Sequence, residues 1–153
     1  MLRPGDPAPA LRASDHRGHP VDVHAMCASG PVVVYFFPRD FTPGCTAQAC
    51  AFRDAHPDFG TAGVEVVAIS ADDAETHRRF AERYALPFRL VSDPDRSIAR
   101  AWDAMALWGL WPARVTYLVG RDGRIAASIR DELRMQRHVI EVRRALERLR
   151  SAG

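Results

Sequence analysis

The cysteines are the residues of this chain whose spacing most clearly suggests chemistry. Cys45 and Cys50 lie five positions apart, and Cys27 stands alone nearer the N-terminus. So few cysteines, odd in number, do not suit a disulfide scaffold, so redox chemistry or metal binding is their expected use. Structural zinc sites use four ligands, and three cysteines alone fall short of that number. Redox chemistry is therefore the prediction, and no metal or other cofactor is expected.

Cys45 stands where a protein stabilises a thiolate. It follows a predicted strand and loop and enters a predicted helix in its first turn, with Pro43 at a position that favours proline. Free backbone N–H groups and the positive end of the helix dipole favour an anion at this place. The thiolate is the nucleophilic form of cysteine. The alternative interpretation is a small buried residue, which is a common use of free cysteine.

Two further residues have both a chemical and an ordinary structural interpretation. Thr42 lies three residues before Cys45, where it either caps the helix or turns its hydroxyl toward a substrate oxygen. Arg114 lies at the start of a predicted strand, and by itself it is one of 21 basic residues on a surface.

The elements that position these residues alternate between strand and helix. Strands are predicted over residues 32–37, 64–69, 88–91, 114–119 and 125–129, a short hairpin over 15–23, and helices over 43–55, 74–84, 97–103 and 136–150. Pro57 is expected to stop the helix that carries Cys45. The closing helix is expected to bury Val139, Ile140, Val142, Ala145, Leu146 and Leu149. This order predicts a thioredoxin-like α/β sandwich, a central mixed sheet flanked by helices, with an N-terminal β-hairpin.

Length and composition limit the remaining possibilities. The 153 residues fit one domain over residues 1–153, and 47% hydrophobic with 26% charged residues is ordinary for a globular protein rather than a disordered one. No apolar run approaches a membrane span and no signal-peptide pattern begins the chain, so a cytoplasmic location is expected. A net charge of +2 gives no reason to expect nucleic acid. All 21 basic residues are arginine, which excludes a lysine nucleophile.

The segment YFFPRDFTPGCTAQACAFRD places Pro38, Thr42 and Cys45 in the spacing of the peroxiredoxin active-site signature. The chain resembles the bacterioferritin-comigratory-protein branch of the peroxiredoxins, also called PrxQ. The segments VVAISADD, LPFRLVSD and ARVTYLVGRDGRI follow in the order that this family shows, so the resemblance covers nearly the whole chain. It implies a thiol-dependent peroxidase that reduces hydrogen peroxide and organic hydroperoxides.

The resemblance also implies a role for each residue of the motif. Cys45 would be the peroxidatic cysteine, which attacks the O–O bond and becomes a sulfenic acid. Thr42 would hydrogen-bond the peroxide, Pro38 would shield the sulfur from water, and Arg114 would stabilise the thiolate and the leaving oxygen. Arg53 matches a commonly seen arginine and would have a minor supporting role. Where the family often has glutamate, this chain has Gln48, whose neutral amide still accepts a hydrogen bond.

Cys50 makes a two-cysteine mechanism possible. In an intact helix its Cα would lie roughly 8–9 Å from that of Cys45 and on nearly the opposite side. A disulfide needs about 4.4–6.8 Å, so the two react only if the first helical turns unwind. The resemblance implies such an intramolecular disulfide, recycled by thioredoxin or a glutaredoxin-like dithiol. The alternative is a structural Cys50 in a one-cysteine peroxidase. Cys27 lies outside every motif and is expected to be structural.

An apolar segment, residues 105–112, precedes Arg114 in an expected loop. It either plugs the core or forms an apolar wall beside the active site, with Trp108 at its centre, favouring organic hydroperoxides or a dimer contact. We expect a monomer or weak homodimer. Two rival classes remain: a disulfide oxidoreductase, which normally uses C-x-x-C, and a non-catalytic thioredoxin-fold binding module.

Overall fold

A mixed sheet of five strands forms the centre of the computed structural model, which describes residues 1–106 and 111–152. Along this sheet the strands run in the order β5-β4-β3-β8-β9. Their bounds are β3 Val32–Phe36, β4 Glu65–Ser70, β5 Arg89–Ser92, β8 Val115–Val119 and β9 Ile125–Arg130. The strand β3 pairs in parallel with β4 and antiparallel with β8. The C-terminal end of β3 and the start of β8 therefore lie side by side at the same end of the sheet.

Helices cover both faces of the sheet, and a separate two-stranded hairpin precedes them. The hairpin pairs β1 Arg12–Ser14 with β2 Pro20–Asp22, as predicted near the N-terminus. The helices are α1 Val23–Cys27, α2 Pro43–Thr61, α3 Ala74–Tyr84, α4 Ser97–Ala101 and α5 Met135–Ala152. Among the described residues, no helix combines the length and apolar character needed to cross a membrane.

Alternation along β3 divides the core into two clusters. Val33, Tyr35 and the following Phe37 face a cluster that contains residues of α2, α3 and α5. The alternate residues Val32, Val34 and Phe36 face a second cluster, which also contains Cys27 of α1 and Trp102 just after α4. Because successive side chains of a strand point to opposite faces, an uninterrupted apolar run is what a strand buried on both faces requires.

The prediction that α2 ends before Pro57 is wrong, because the helix continues to Thr61 with proline inside it. Proline has no N–H, so the Arg53 carbonyl loses its helical hydrogen bond. Pro57 is exposed, which leaves that carbonyl near water, while Phe59 in the following turn is buried. Burial of this aromatic ring, with a hydrogen bond from Thr61 Oγ1 to the Pro57 carbonyl at 3.0 Å, offsets the lost bond.

The structure differs from the prediction in three further features: a short helix, a pair of short strands and the buried face of α5. The helix α1 was not expected; the Asp22 carboxylate caps it by accepting from Ala25 N at 3.2 Å. The expected loop before Arg114 contains two short paired strands, β6 Met105–Ala106 and β7 Trp111–Pro112. The prediction that α5 buries Ile140 and Leu149 is wrong, since these are 45% and 37% exposed.

Helix geometry explains the exposure of Ile140. It lies about 160° around the helix axis from the buried Val142, on the opposite side. Leu149 lies on the same side as Val142 but in the last turns of α5. The predicted apolar wall centred on Trp108 lies outside the described residues.

Replacement of Pro57 by alanine tests this account of α2. We expect Pro57→Ala to raise the free energy of unfolding by about 1–3 kcal/mol, because it restores an N–H to the helix interior. Urea denaturation followed by circular dichroism measures the change. An unchanged or lower stability would contradict the account, and the exposed Gly60→Ala on the same helix controls for added helix propensity alone.

Candidate active site

Cys45 lies in the first turn of α2, as predicted. Thr42 is the N-cap residue and Pro43 the first helical residue, so Cys45 occupies the third helical position. Its side chain is buried in the cluster that includes Tyr35 and Ala49. At this position the sulfur faces backbone N–H groups that lack helical partners, together with the positive end of the helix dipole.

Arg114 contacts the sulfur from the neighbouring sheet. Its Nη1 donates to Cys45 Sγ at 3.1 Å and is 3.4 Å from Gln48 Oε1. The backbone N–H of Arg114 donates to Glu132 Oε1 at 3.3 Å, just before β8 begins. A guanidinium is always charged, so this hydrogen bond favours a thiolate over a neutral thiol.

Gln48 lies one helical turn after Cys45. At this position the family that the chain resembles often has glutamate. It is fully buried, and its amide oxygen accepts from Arg114. A glutamate here would neutralise part of the guanidinium charge, whereas the amide only orients it. Gln48 therefore leaves the positive charge of the Arg114 guanidinium in place beside the Cys45 sulfur.

Gly44 allows this close approach. A Cβ at position 44 would lie 2.7 Å from Arg114 Nη2 and 3.2 Å from its Cζ, closer than real contacts permit. The guanidinium thus rests directly on the backbone of the first helical turn. Glycine also weakens that turn relative to alanine, since its unfolded chain has more conformational freedom.

Pro38 and Thr42 lie in the loop between β3 and α2, both half-buried. Thr42 is the N-cap residue by its backbone, φ −79° and ψ 151°. Within the described part of the chain, however, its hydroxyl caps no helical N–H and instead donates to the Arg39 carbonyl at 3.0 Å. The interpretation of the Thr42 side chain as a helix cap is therefore wrong. The lone pairs of its hydroxyl oxygen accept no hydrogen bond from a described N–H of α2.

The remaining cysteines differ in their surroundings. Cys50 is half-buried on the same unbroken helix as Cys45, and all three cysteines are free thiols. Cys27 is buried in the second cluster, on the other face of the sheet from Cys45. Burial raises the pKa of the Cys27 thiol to about 11, which keeps it protonated and unreactive at neutral pH.

The resemblance implied a minor supporting role for Arg53 in the site. The hydrogen bonds of Arg53 are instead made with Tyr84 and Asp54. Its Nη1 donates to the Tyr84 carbonyl at 2.9 Å and its Nε donates to Asp54. The bond to Tyr84 links α2 to the C-terminal end of α3 and stabilises the part of α2 that follows Cys50, whereas the bond to Asp54 lies within α2.

The structure adds a buried pair that the sequence analysis did not assign to the site. Asp40, between Pro38 and Thr42, lies with its Oδ2 2.6 Å from His77 Nδ1. His77 lies on the buried face of α3, and no local feature of the sequence pairs it with a residue 37 positions earlier. Asp40, Asp72 and His77 offer ligand atoms within 4.8 Å of one another, the one such group among the described residues that could hold a metal ion. In this structure His77 Nδ1 is hydrogen-bonded to Asp40 Oδ2, and Asp72 Oδ2 accepts from the backbone N–H of Asp40 and from Ser70 Oγ.

Filling the space at Gly44 tests the importance of the Arg114 contact. We expect Gly44→Ala to remain folded, because alanine favours helix and the guanidinium swings away on a flexible side chain. The second-order rate of Cys45 oxidation by hydrogen peroxide, measured with Cys50→Ser present, is expected to fall about tenfold or more. Ala47→Gly, at an exposed position one turn on, is the matched control. A folded Gly44→Ala variant with an unchanged rate would show that the contact is dispensable.

Comparison with known proteins agrees with this geometry. A profile of the AhpC/TSA family matches residues 4–128. The chain is 40% identical to the chloroplastic peroxiredoxin Q of Sedum lineare over 147 residues, 95% of this chain and 78% of that protein.

Solved structures give the same result. Peroxidoxin BcpB of Mycobacterium tuberculosis superposes with a TM-score of 0.88 at 29% identity, covering 96% of this chain and 97% of that one. The bacterioferritin comigratory protein of Xanthomonas campestris, studied for alkyl peroxide reduction, superposes with a TM-score of 0.80 at 29% identity, covering 90% of each chain. The predicted thioredoxin-like fold is thus confirmed. The chain belongs to the AhpC/TSA family, among its peroxiredoxin Q members, and is a thiol-dependent peroxidase.

Proposed function

We propose that Cys45 is the peroxidatic cysteine and Cys50 the resolving cysteine of this enzyme. The observation that carries the proposal is the 3.1 Å hydrogen bond from Arg114 Nη1 to Cys45 Sγ at the start of α2. A buried thiol in contact with a guanidinium and a helix N-terminus is the arrangement that produces a nucleophilic thiolate.

In the first reaction the Cys45 thiolate attacks the nearer oxygen of the hydroperoxide. The S–O bond forms as the O–O bond breaks, and the leaving oxygen takes up a proton to give water or an alcohol. Negative charge moves from sulfur to that oxygen during the transfer, and Arg114 lies beside the sulfur, where it stabilises both ends of the shift. The Thr42 hydroxyl, which donates its own proton to the Arg39 carbonyl and caps no helical N–H, accepts a hydrogen bond from the peroxide in this proposal.

In the second reaction the Cys50 thiolate attacks the sulfenic sulfur of Cys45. A disulfide forms and hydroxide leaves as water, so the two electrons lost by the cysteines balance the reduction of the peroxide. An external dithiol then reduces the disulfide, and we propose thioredoxin or a glutaredoxin-like protein for this role. Both cysteines lie on the intact α2, so this reaction requires the first turn to unwind.

The first turn of α2 is suited to such unwinding. It begins with Pro43 and Gly44, has no side-chain cap among the described residues, and is closed by a hydrogen bond from Thr46 N to the Thr42 carbonyl at 2.9 Å. The burial that stabilises the helix lies mostly beyond this turn, in Ala49, Phe52, Ala55 and Phe59. Opening therefore costs little of the packing that holds α2 on the sheet.

We further propose that the substrates are hydrogen peroxide and organic hydroperoxides. Support for the organic class comes from the Xanthomonas campestris relative studied for alkyl peroxide reduction and from the apolar segment before Arg114. The cytoplasmic location and the monomeric or weakly dimeric state stay predictions.

Intact mass and thiol counting after one equivalent of hydrogen peroxide test the roles of the cysteines. We expect the wild-type chain to lose two hydrogen atoms, with peptide mapping linking Cys45 to Cys50. The Cys50→Ser variant should stop at a sulfenic acid, because no partner thiol is within reach.

The Cys27→Ser variant is the matched control and should behave like the wild type, since Cys27 lies on the other face of the sheet. A wild-type chain that itself stops at the sulfenic acid would mean a one-cysteine peroxidase with a structural Cys50. If neither chain reacts, a non-catalytic binding module replaces the proposal.

The role of the apolar segment is tested by Trp108→Ala. We expect kcat/KM for cumene hydroperoxide to fall about tenfold while that for hydrogen peroxide changes little, because only the organic substrate has apolar area to bury. An equal effect on both substrates would contradict the proposed preference. Leu133→Ala, which truncates an apolar side chain that is 89% exposed, is the control.

A further inference from the structure

A buried acid–base pair connects the active-site loop, residues 38–42, to α3. Asp40 and His77 both have side chains with no exposed surface, and with its Nδ1 protonated His77 donates to Asp40 Oδ2 at 2.6 Å. Asp40 Oδ1 and His77 Nε2 are buried without a partner among the described residues. Burial raises the pKa of the Asp40 carboxyl, which means that keeping this pair inside the protein costs free energy of folding. A buried pair is weak evidence for stability, so a role in the site is the better explanation.

The backbone of Asp40 is held as firmly as its side chain. Its N–H donates to Asp72 Oδ2 at 2.8 Å, and Ser70 Oγ donates to the same oxygen at 2.5 Å. Asp72 lies in the short connection between β4 and α3, and Asp73 caps that helix. The loop is thus fixed at Asp40 by two independent hydrogen bonds to the β4–α3 region.

The residue after Asp40 shows that the loop conformation is imposed by these contacts. Phe41 has φ +65°, a left-handed conformation that costs energy for a residue with a bulky side chain. Its ring is held against Phe80 of α3 at a centroid distance of 5.2 Å and against Tyr84 at 6.3 Å. Such a conformation persists only where the surroundings over-determine it, and here α3 supplies the surroundings.

Thr42 is the next residue of the chain after Phe41, so its position depends on the attachment of Asp40 and Phe41 to α3. Asp40 and Phe41 are attached to α3, whereas Cys45 belongs to α2, whose first turn must unwind after the sulfenic acid forms. The backbone of Thr42 begins α2, whereas its hydroxyl is bonded to the loop at Arg39, so the orientation of this hydroxyl depends on the loop that α3 holds.

We propose that His77 is a positioning residue for peroxide reduction: through its hydrogen bond to Asp40 it holds the active-site loop, and with it Thr42, in the geometry that binds the peroxide. This proposal rests on the proposed function of Cys45. It predicts that loss of the pair slows the oxidation of Cys45 and leaves the formation of the Cys45–Cys50 disulfide almost unchanged.

The experiment measures the two reactions separately. With Cys50→Ser present, the second-order rate of Cys45 oxidation by hydrogen peroxide is expected to fall about tenfold or more in His77→Leu, because the substrate-positioning hydroxyl is misplaced. With Cys50 intact, the first-order rate of disulfide formation from the sulfenic acid is expected to stay within about twofold. His77→Asn, whose amide nitrogen lies where Nδ1 was, should restore most of the oxidation rate. His77→Gln, whose nitrogen lies at the Nε2 position, should not, and it replaces His77→Leu if that variant does not fold.

Two controls separate positioning from general damage. Tyr117→Phe removes a buried hydroxyl that donates to the Trp102 carbonyl at 2.7 Å in the second cluster, and should leave the oxidation rate unchanged. Thr42→Val should slow oxidation, and adding His77→Leu to it should cause little further loss, since both act through the same hydroxyl.

Equal slowing of both reactions, the same loss in Tyr117→Phe, or full additivity with Thr42→Val would overturn the positioning role. An unchanged oxidation rate in a folded His77→Leu variant would overturn it as well. If the parent chain does not react with peroxide, the proposed function fails and this proposal falls with it. A reacting parent separates the two failures.

Discussion

The contact between Arg114 and Cys45 depends on the sheet that carries one residue and the helix that carries the other. Arg114 directly precedes β8, and β8 pairs with β3 so that Val115 lies opposite Phe36. The loop and α2 leave from the same end of β3, which brings the first helical turn over the start of β8. A shift of this register by one residue would send the guanidinium to the other face, because side chains alternate along a strand. The buried aromatic residues of β3 therefore serve the site by fixing this register.

In the proposed mechanism the same helix must hold the Cys45 sulfur for the first reaction and release it for the second. Its packing separates these tasks, since most of its buried side chains lie after the first turn and Arg53 fastens its middle to the Tyr84 carbonyl. The first turn, with Gly44 pressed against Arg114, gains little from burial beyond Cys45 itself. In the proposed mechanism, conversion of a thiolate into a neutral sulfenic acid would remove a charge attraction to Arg114. The first reaction would then weaken one of the contacts made by the first turn, which favours unwinding before the second reaction.

Local chemistry made part of this structure predictable. The bounds of α3 match the prediction, Ala74 to Tyr84, because Asp73 is an effective cap and the apolar spacing is regular. The start of α2 was predictable because Pro43 suits the first helical position, and the motif around Cys45 led to Arg114 through the family resemblance. The end of α2 was not predictable, because the burial of Phe59 outweighs the local effect of Pro57. Tertiary packing decided that outcome, and no local signal reports it.

The pairing of Asp40 with His77 marks the limit of sequence reasoning in the site itself. Each residue has an ordinary local role, a loop aspartate and a histidine on the buried side of a helix, and only the fold brings them to 2.6 Å. The pair also shows how the site combines rigidity with motion. In the proposed mechanism Arg114 is fixed by β8 and the active-site loop by α3, so both groups that would act on the peroxide are anchored outside α2. The proposed unwinding would then involve mainly the turn that carries the sulfur, and the enzyme would return to the same peroxide-binding geometry after each disulfide is reduced.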